Sequence, residues 1–106
     1  MSRKIIYILA ILLSSASLSY GAANRFTLVI DASHGGHDAG ALGAISKEKN
    51  INLNVALAFG RLVENNCPDV KVVYTRKTDV FIPLDDRADI ANRNKADLFI
   101  SIHTNA

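Results

Sequence analysis

The sequence predicts an α/β fold: a parallel, or mostly parallel, sheet whose strands are joined by crossover helices in the order β-α-β-α-β. Three observations predict it. Short apolar runs rich in β-branched residues stand at Phe26–Ile30, Val70–Thr75 and Leu98–Ile102. Apolar residues recur at helical spacing in the two stretches between them, and Gly, Pro or Asp stands where the period changes. Strands that alternate with helices imply parallel pairing through right-handed crossovers.

The first strand, Phe26–Ile30, reads as buried and stops at Asp31, where glycine and histidine take over; residues 31–47 form a loop. A helix is predicted from about Lys49 to Asn65, with Ile51, Val55, Ala58, Phe59, Leu62 and Val63 turned inward, and Pro68 ends it. Val70–Thr75 is the second strand, and residues 78–82 lead to Pro83, which suits the first turn of another helix. That helix runs to about Asn94, with Leu84, Arg87, Ala88 and Ala91 sharing a face, and Leu98–Ile102 is the third strand. A parallel sheet needs cover on both faces, which two helices give only in part. The expectation is therefore the front half of a larger α/β domain over residues 24–106.

Residues 1–23 have the layout of a secretory signal peptide. Arg3 and Lys4 precede an apolar run of 14 positions, Ile5 to Leu18, and the small residues Gly21, Ala22 and Ala23 follow. The run falls short of the ~20 apolar residues of a membrane span, so cleavage and an exported protein, periplasmic or at the cell surface, are expected, with no stable membrane anchor. Removing Arg3 and Lys4 leaves 10 Lys+Arg against 10 Asp+Glu. A formally neutral chain gives no electrostatic case for nucleic acid or an anionic membrane. The single cysteine, Cys67, cannot close an internal disulfide, and no basic neighbour in sequence activates it.

Three residues carry the chemistry. His34 follows the first strand, Glu48 precedes the first helix and His103 closes the third strand. Parallel strands put their carboxyl ends on one edge of the sheet, where α/β sites form, so these side chains can converge although 14 and 55 positions separate them. Two imidazoles and a carboxylate suit Zn2+ and leave a fourth position for water. Such an ion polarises a carbonyl and lowers the pKa of water toward ~7, the requirement for hydrolysing an amide or ester. Taken singly, each residue has an ordinary reading: His34 as a loop histidine, His103 as a strand-end histidine, Glu48 as a carboxylate answering the helix dipole. Asp31 is expected to orient an imidazole, and His37 to face solvent. Neither G-x-G-x-x-G nor a P-loop is present around Gly35, Gly36, Gly40 and Gly43, so nucleotide binding drops out.

From about Thr27 to Ala106 the chain resembles the zinc-dependent N-acetylmuramoyl-L-alanine amidases of the amidase_3 type. The resemblance rests on IDASHGGHDAGA, EKNINL at a helix start, TRKTD after the second strand, L-x-x-R-x-x-x-A-N from Leu84 to Asn92, and ADLFISIHTNA. It implies cleavage in peptidoglycan of the amide between the lactyl group of N-acetylmuramic acid and the L-alanine of the stem peptide, with His34, Glu48 and His103 as zinc ligands. Two departures stand out. Ser33 occupies a position where the family usually has glycine, and if that position needs a positive φ the serine is strained by ~1 kcal/mol. The family's late glutamate, which acts on the water, is expected beyond Ala106. Arg76 and Asp79, and Arg87 with Asp85 and Asp86, could contact substrate but read as paired charges supporting the fold; Asn105 either shapes the site or caps the strand end. Two rival readings fit the same residues: another exported zinc hydrolase, peptidase or deacetylase, or an inactive wall-binding or regulatory remnant.

Overall fold

The computed structural model describes residues 25–105 of the chain, and the signal-peptide reading of residues 1–23 lies outside them. Five elements follow the expected alternation: β1 Phe26–Ala32, α1 Glu48–Asn66, β2 Val70–Tyr74, α2 Leu84–Arg93 and β3 Leu98–Ile102. The strands form one parallel sheet in the order β2-β1-β3. Phe26 stands opposite Val70 on one side of β1, and Ala32 opposite Ile102 on the other. Both connections are crossovers, so the carboxyl ends of all three strands lie along one edge.

Central β1 is the most apolar strand because it has neighbours on both sides and is buried from Thr27 through Ala32. It runs two residues beyond the expected end. Asp31, a poor strand former, is tolerated there because its carboxylate accepts hydrogen bonds from Thr75, Ser101 and Arg87.

α1 lies across all three strands, but on a different face from the one its apolar periodicity predicts. The buried row is Glu48, Asn52, Ala56 and Gly60, flanked by the partly buried Leu53, Phe59 and Val63. Val55 and Leu62, expected inside, are exposed. The helix approaches the sheet along its small residues: a Cβ at Gly60 would overlap the Tyr74 hydroxyl, which donates to Glu64. Elsewhere in a helix Gly→Ala stabilises by about 1 kcal/mol; here we expect Gly60→Ala to lower stability by about 1–3 kcal/mol through overpacking. Thermal unfolding checks the sign, since a raised Tm would refute the close approach.

α2 packs far more loosely than expected. Of the predicted face only Arg87 is buried, Ala88 is exposed and Leu84 is 85% exposed. No helix among the described residues is long and apolar enough to cross a membrane.

Candidate metal centre

The pairing of Ala32 with Ile102 places the chain segments leaving β1 and β3 side by side, and the Ser33 amide continues the ladder to the Ile102 carbonyl at 3.2 Å. His34 and His103 follow on these two segments. Glu48 is not before α1 but is its first residue, and its amide donates to Ala41 while that of Lys49 donates to Ala39. The His34 loop is thereby folded back over the start of the helix.

These elements bring His34, Glu48 and His103 together, with one donor atom from each lying within 4.8 Å of the others. His34 Nε2 is 3.2 Å from Glu48 Oε1, and His103 Nδ1 is 3.5 Å from Glu48 Oε2. Ligand atoms at the usual zinc distance from a tetrahedral centre stand about 3.3 Å apart, so the two measured separations fit one small cation.

The neighbours aim the lone pairs. His34 Nδ1 is 2.9 Å from Asp38 Oδ2, and that carboxyl is held below its ordinary range chiefly by this hydrogen bond. An ionised carboxylate only accepts, so Nδ1 carries the proton and the Nε2 lone pair faces Glu48. Glu48 is buried, and its Oε1 accepts from the Ala41 amide at 3.0 Å while Oε2 accepts from the Thr104 amide at 3.0 Å and from Asn52. The Ala41 amide, with those of Thr104 and Asn52, outweighs desolvation and lowers the Glu48 pKa from 4.5 to about 2. At neutral pH the cluster therefore presents a full negative charge to two imidazoles. Gly40, at φ +68°, passes so close that a Cβ would lie 2.6 Å from the His34 ring and 2.7 Å from Glu48 Oε1.

A depressed carboxylate pKa contributes stability above its unfolded value and loses it as pH falls toward the folded one. The metal-free protein should therefore lose stability between about pH 4.5 and about pH 2, and Glu48→Gln should flatten that part of the curve. Urea midpoints measured across the window check this; identical profiles for both proteins would contradict it.

Two buried arginines hold the His34 loop. Arg87 donates to Asp31 Oδ1 at 2.6 Å and to the carbonyls of Ala32, His34 and Ile82. Arg76 donates to the carbonyls of Ala32, Ser33, Lys49 and Thr78. Arg76, a possible substrate contact in the sequence, is thus spent on backbone. Lys49 Nζ meets Asp79 at 2.8 Å, and Asp79 also accepts from the Gly36 amide.

Asp31 makes no direct contact with an imidazole and reaches His103 only through Ser101 and Ser33; burial opposes its charge, but the bonds from Arg87, Thr75 and Ser101 prevail and lower its pKa. Ser33 is not the residue with the unusual backbone either: His34 itself has φ 66°, in the left-handed region where histidine is several-fold enriched. Asn105 is exposed past β3, and its neighbour Thr104 makes the contacts to Glu48 and Asn52. His37 is exposed and stacks on Phe81 with ring centroids 4.2 Å apart. Asp38, Asn52, Ser101 and Thr104 escape the sequence reading, and Ser33 is singled out there only for its backbone; the one local signal is Asp38, four residues after His34. A cavity of about 870 Å³ opens from His34 and His103 past Phe81 and Leu84 to Phe99, room for an extended ligand beside the cluster.

Comparison with known proteins gives one answer. The family described as Amidase_3, N-acetylmuramoyl-L-alanine amidase, matches residues 28–106. The sporulation-specific N-acetylmuramoyl-L-alanine amidase of Bacillus subtilis is 39% identical over 79 residues, covering 74% of this chain and 31% of that protein. AmiA of Escherichia coli, another N-acetylmuramoyl-L-alanine amidase, is 46% identical over 77 residues, covering 72% and 26%. The solved catalytic domain of the amidase CwlV from Bacillus (Paenibacillus) polymyxa superposes with a TM-score of 0.72 at 42% identity, covering 74% of this chain and 45% of that one. The chain spans less than a third of the length of these curated relatives.

Proposed function

Because the chain belongs to the Amidase_3 family of N-acetylmuramoyl-L-alanine amidases, we propose that it supplies the metal-binding part of an exported peptidoglycan amidase. The bond cut is the amide joining the lactyl group of N-acetylmuramic acid to the L-alanine of the stem peptide. One observation carries this reading: His34, Glu48 and His103, from three separate segments, place one donor atom each within 4.8 Å of one another. Zn2+ suits two imidazoles and a carboxylate, and when bound it polarises the scissile carbonyl and lowers the pKa of water.

The chain's own residues do the rest of the work assigned here. Glu48 supplies the negative charge, Asp38 keeps the proton of His34 on the nitrogen remote from Glu48, and Arg76 and Arg87 fix the loop so that the first imidazole holds its position. The cavity beside the histidines receives the glycan-linked peptide. Asp31, Asp38 and Glu48 are each engaged by several donors, so none of these three is assigned as the general base. The peptidoglycan substrate agrees with a leader in residues 1–23 and a working place outside the cytoplasm.

Product analysis decides the bond. Purified peptidoglycan digested by the full-length protein should release intact stem peptides with a free L-alanine amine, and zinc removal by a chelator should stop the release. Shortened stem peptides or free acetate would instead identify a peptidase or a deacetylase.

A further inference from the structure

We propose that Ser33 is a positioning residue, the middle link of a hydroxyl relay through which Asp31 sets the tautomer of His103. The inference rests on the zinc reading for its purpose, though its geometry stands independently. Four side chains form the relay. Ser101 Oγ donates to Asp31 Oδ2 at 2.7 Å, Ser33 Oγ lies 3.0 Å from Ser101 Oγ, and His103 Nε2 lies 2.8 Å from Ser33 Oγ.

Counting protons fixes the direction of every bond. A hydroxyl has one proton to give, and that of Ser101 goes to the Asp31 carboxylate, which accepts only. The bond between the serines must then use the Ser33 proton. Ser33 has nothing left to offer His103, so the third bond needs a proton on His103 Nε2. A neutral imidazole with its proton on Nε2 carries its lone pair on Nδ1, the atom 3.5 Å from Glu48 Oε2. The opposite tautomer would leave two hydroxyl oxygens facing each other at 3.0 Å with no proton between them.

Asp31 is the right anchor for such a relay. It is buried, and Arg87 at 2.6 Å and Thr75 at 2.7 Å satisfy its other oxygen. Its carboxylate thus serves two ends of the site: Arg87 also grips the His34 carbonyl, while Ser101 and Ser33 reach His103. His34 has a carboxylate of its own in Asp38, whereas His103, with 62% of its side chain exposed, depends on the relay. Without it, the favoured proton position on His103 is Nδ1, donating to Glu48, and the ring then blocks the point where the metal belongs.

The test uses full-length protein and three substitutions: Ser33→Ala, Ser101→Ala and Ser101→Thr. Ser101 is exposed and Ser101→Thr keeps the hydroxyl that Asp31 accepts, so the comparison of Ser101→Ala with Ser101→Thr carries the test even if Ser33→Ala does not fold. Proton–nitrogen correlation spectra of the metal-free protein should show neutral His103 protonated on Nε2 in the wild type and in Ser101→Thr. In both alanine variants the Nδ1-protonated form should rise. Zinc affinity, measured by competition with a chromophoric chelator, should fall by roughly 10- to 100-fold in the alanine variants, the usual effect of losing a ligand's outer partner, and should recover in Ser101→Thr. An Nδ1 proton on wild-type His103, or unchanged affinity in the alanine variants, would overturn the relay. A wild type with the Nε2 proton but no zinc affinity would overturn the metal reading and leave the relay standing.

Discussion

Replacing Glu48 by alanine is expected to abolish zinc retention and to lower amide hydrolysis well beyond the roughly 10- to 100-fold that losing an outer partner costs. Glu48 is the sole anionic member of the cluster. Its removal leaves two neutral imidazoles, too few donors to hold the ion against water. The loss extends to the protein itself, because the amides of Ala41 and Thr104 and the Asn52 side chain all donate to this carboxylate. A buried donor left without an acceptor costs about 1–3 kcal/mol, a cost that falls in full on Asn52 and in part on the half-buried amides of Ala41 and Thr104. Glu48→Gln separates the two effects, keeping an acceptor oxygen for part of the network while removing the charge. Metal content by elemental analysis, together with stem-peptide release, is the measurement. A Glu48→Ala protein that keeps one zinc per chain and more than a tenth of the activity would end the assignment.

Arg87→Met should produce the largest loss of stability, about 3–5 kcal/mol, the range for removing one partner of a buried ion pair. The side chain is nearly the whole of what α2 buries. Its guanidinium pairs with Asp31, whose carboxylate would remain buried with one hydroxyl donor on each oxygen and no cation. The carbonyls of Ile82 and His34 would lose their donor as well. Lysine should not rescue the variant, because one ammonium cannot reproduce a planar fork that donates to four acceptors. Urea unfolding of the metal-free protein measures this, and a change below 1 kcal/mol would show that α2 is held by something else.

The sheet and the three ligand candidates were legible for one reason. Parallel strands with crossovers must put their carboxyl ends together, so residues just past Ala32 and Ile102 become neighbours whatever their separation in sequence. The inward face of α1 was not legible. Val55 and Leu62 satisfy the helical period, but packing distance is set by the smallest residues, and Ala56 and Gly60 win the contact. Nor were the partners of the ligands. Asn52, Ser101 and Thr104 are ordinary polar residues until the fold sets them beside groups 19 to 70 positions away. Arg76 and Arg87 read from the sequence as paired charges, yet both spend their donors mainly on backbone carbonyls, and Arg87 pairs with Asp31, not with the adjacent Asp85 or Asp86. The interchange at residues 33 and 34 is subtler. The left-handed backbone belongs to the histidine, leaving the serine free to use its hydroxyl.

Glu48 Oε1 is clasped by the loop that carries His34, and Oε2 by the segment that carries His103. One carboxylate thus ties the loop after β1 to the segment after β3, and the knot cannot close until β3 has docked. A nascent polypeptide whose β3 is still unpaired therefore lacks the three-donor cluster, and any cation held there would add its binding free energy to strands already paired.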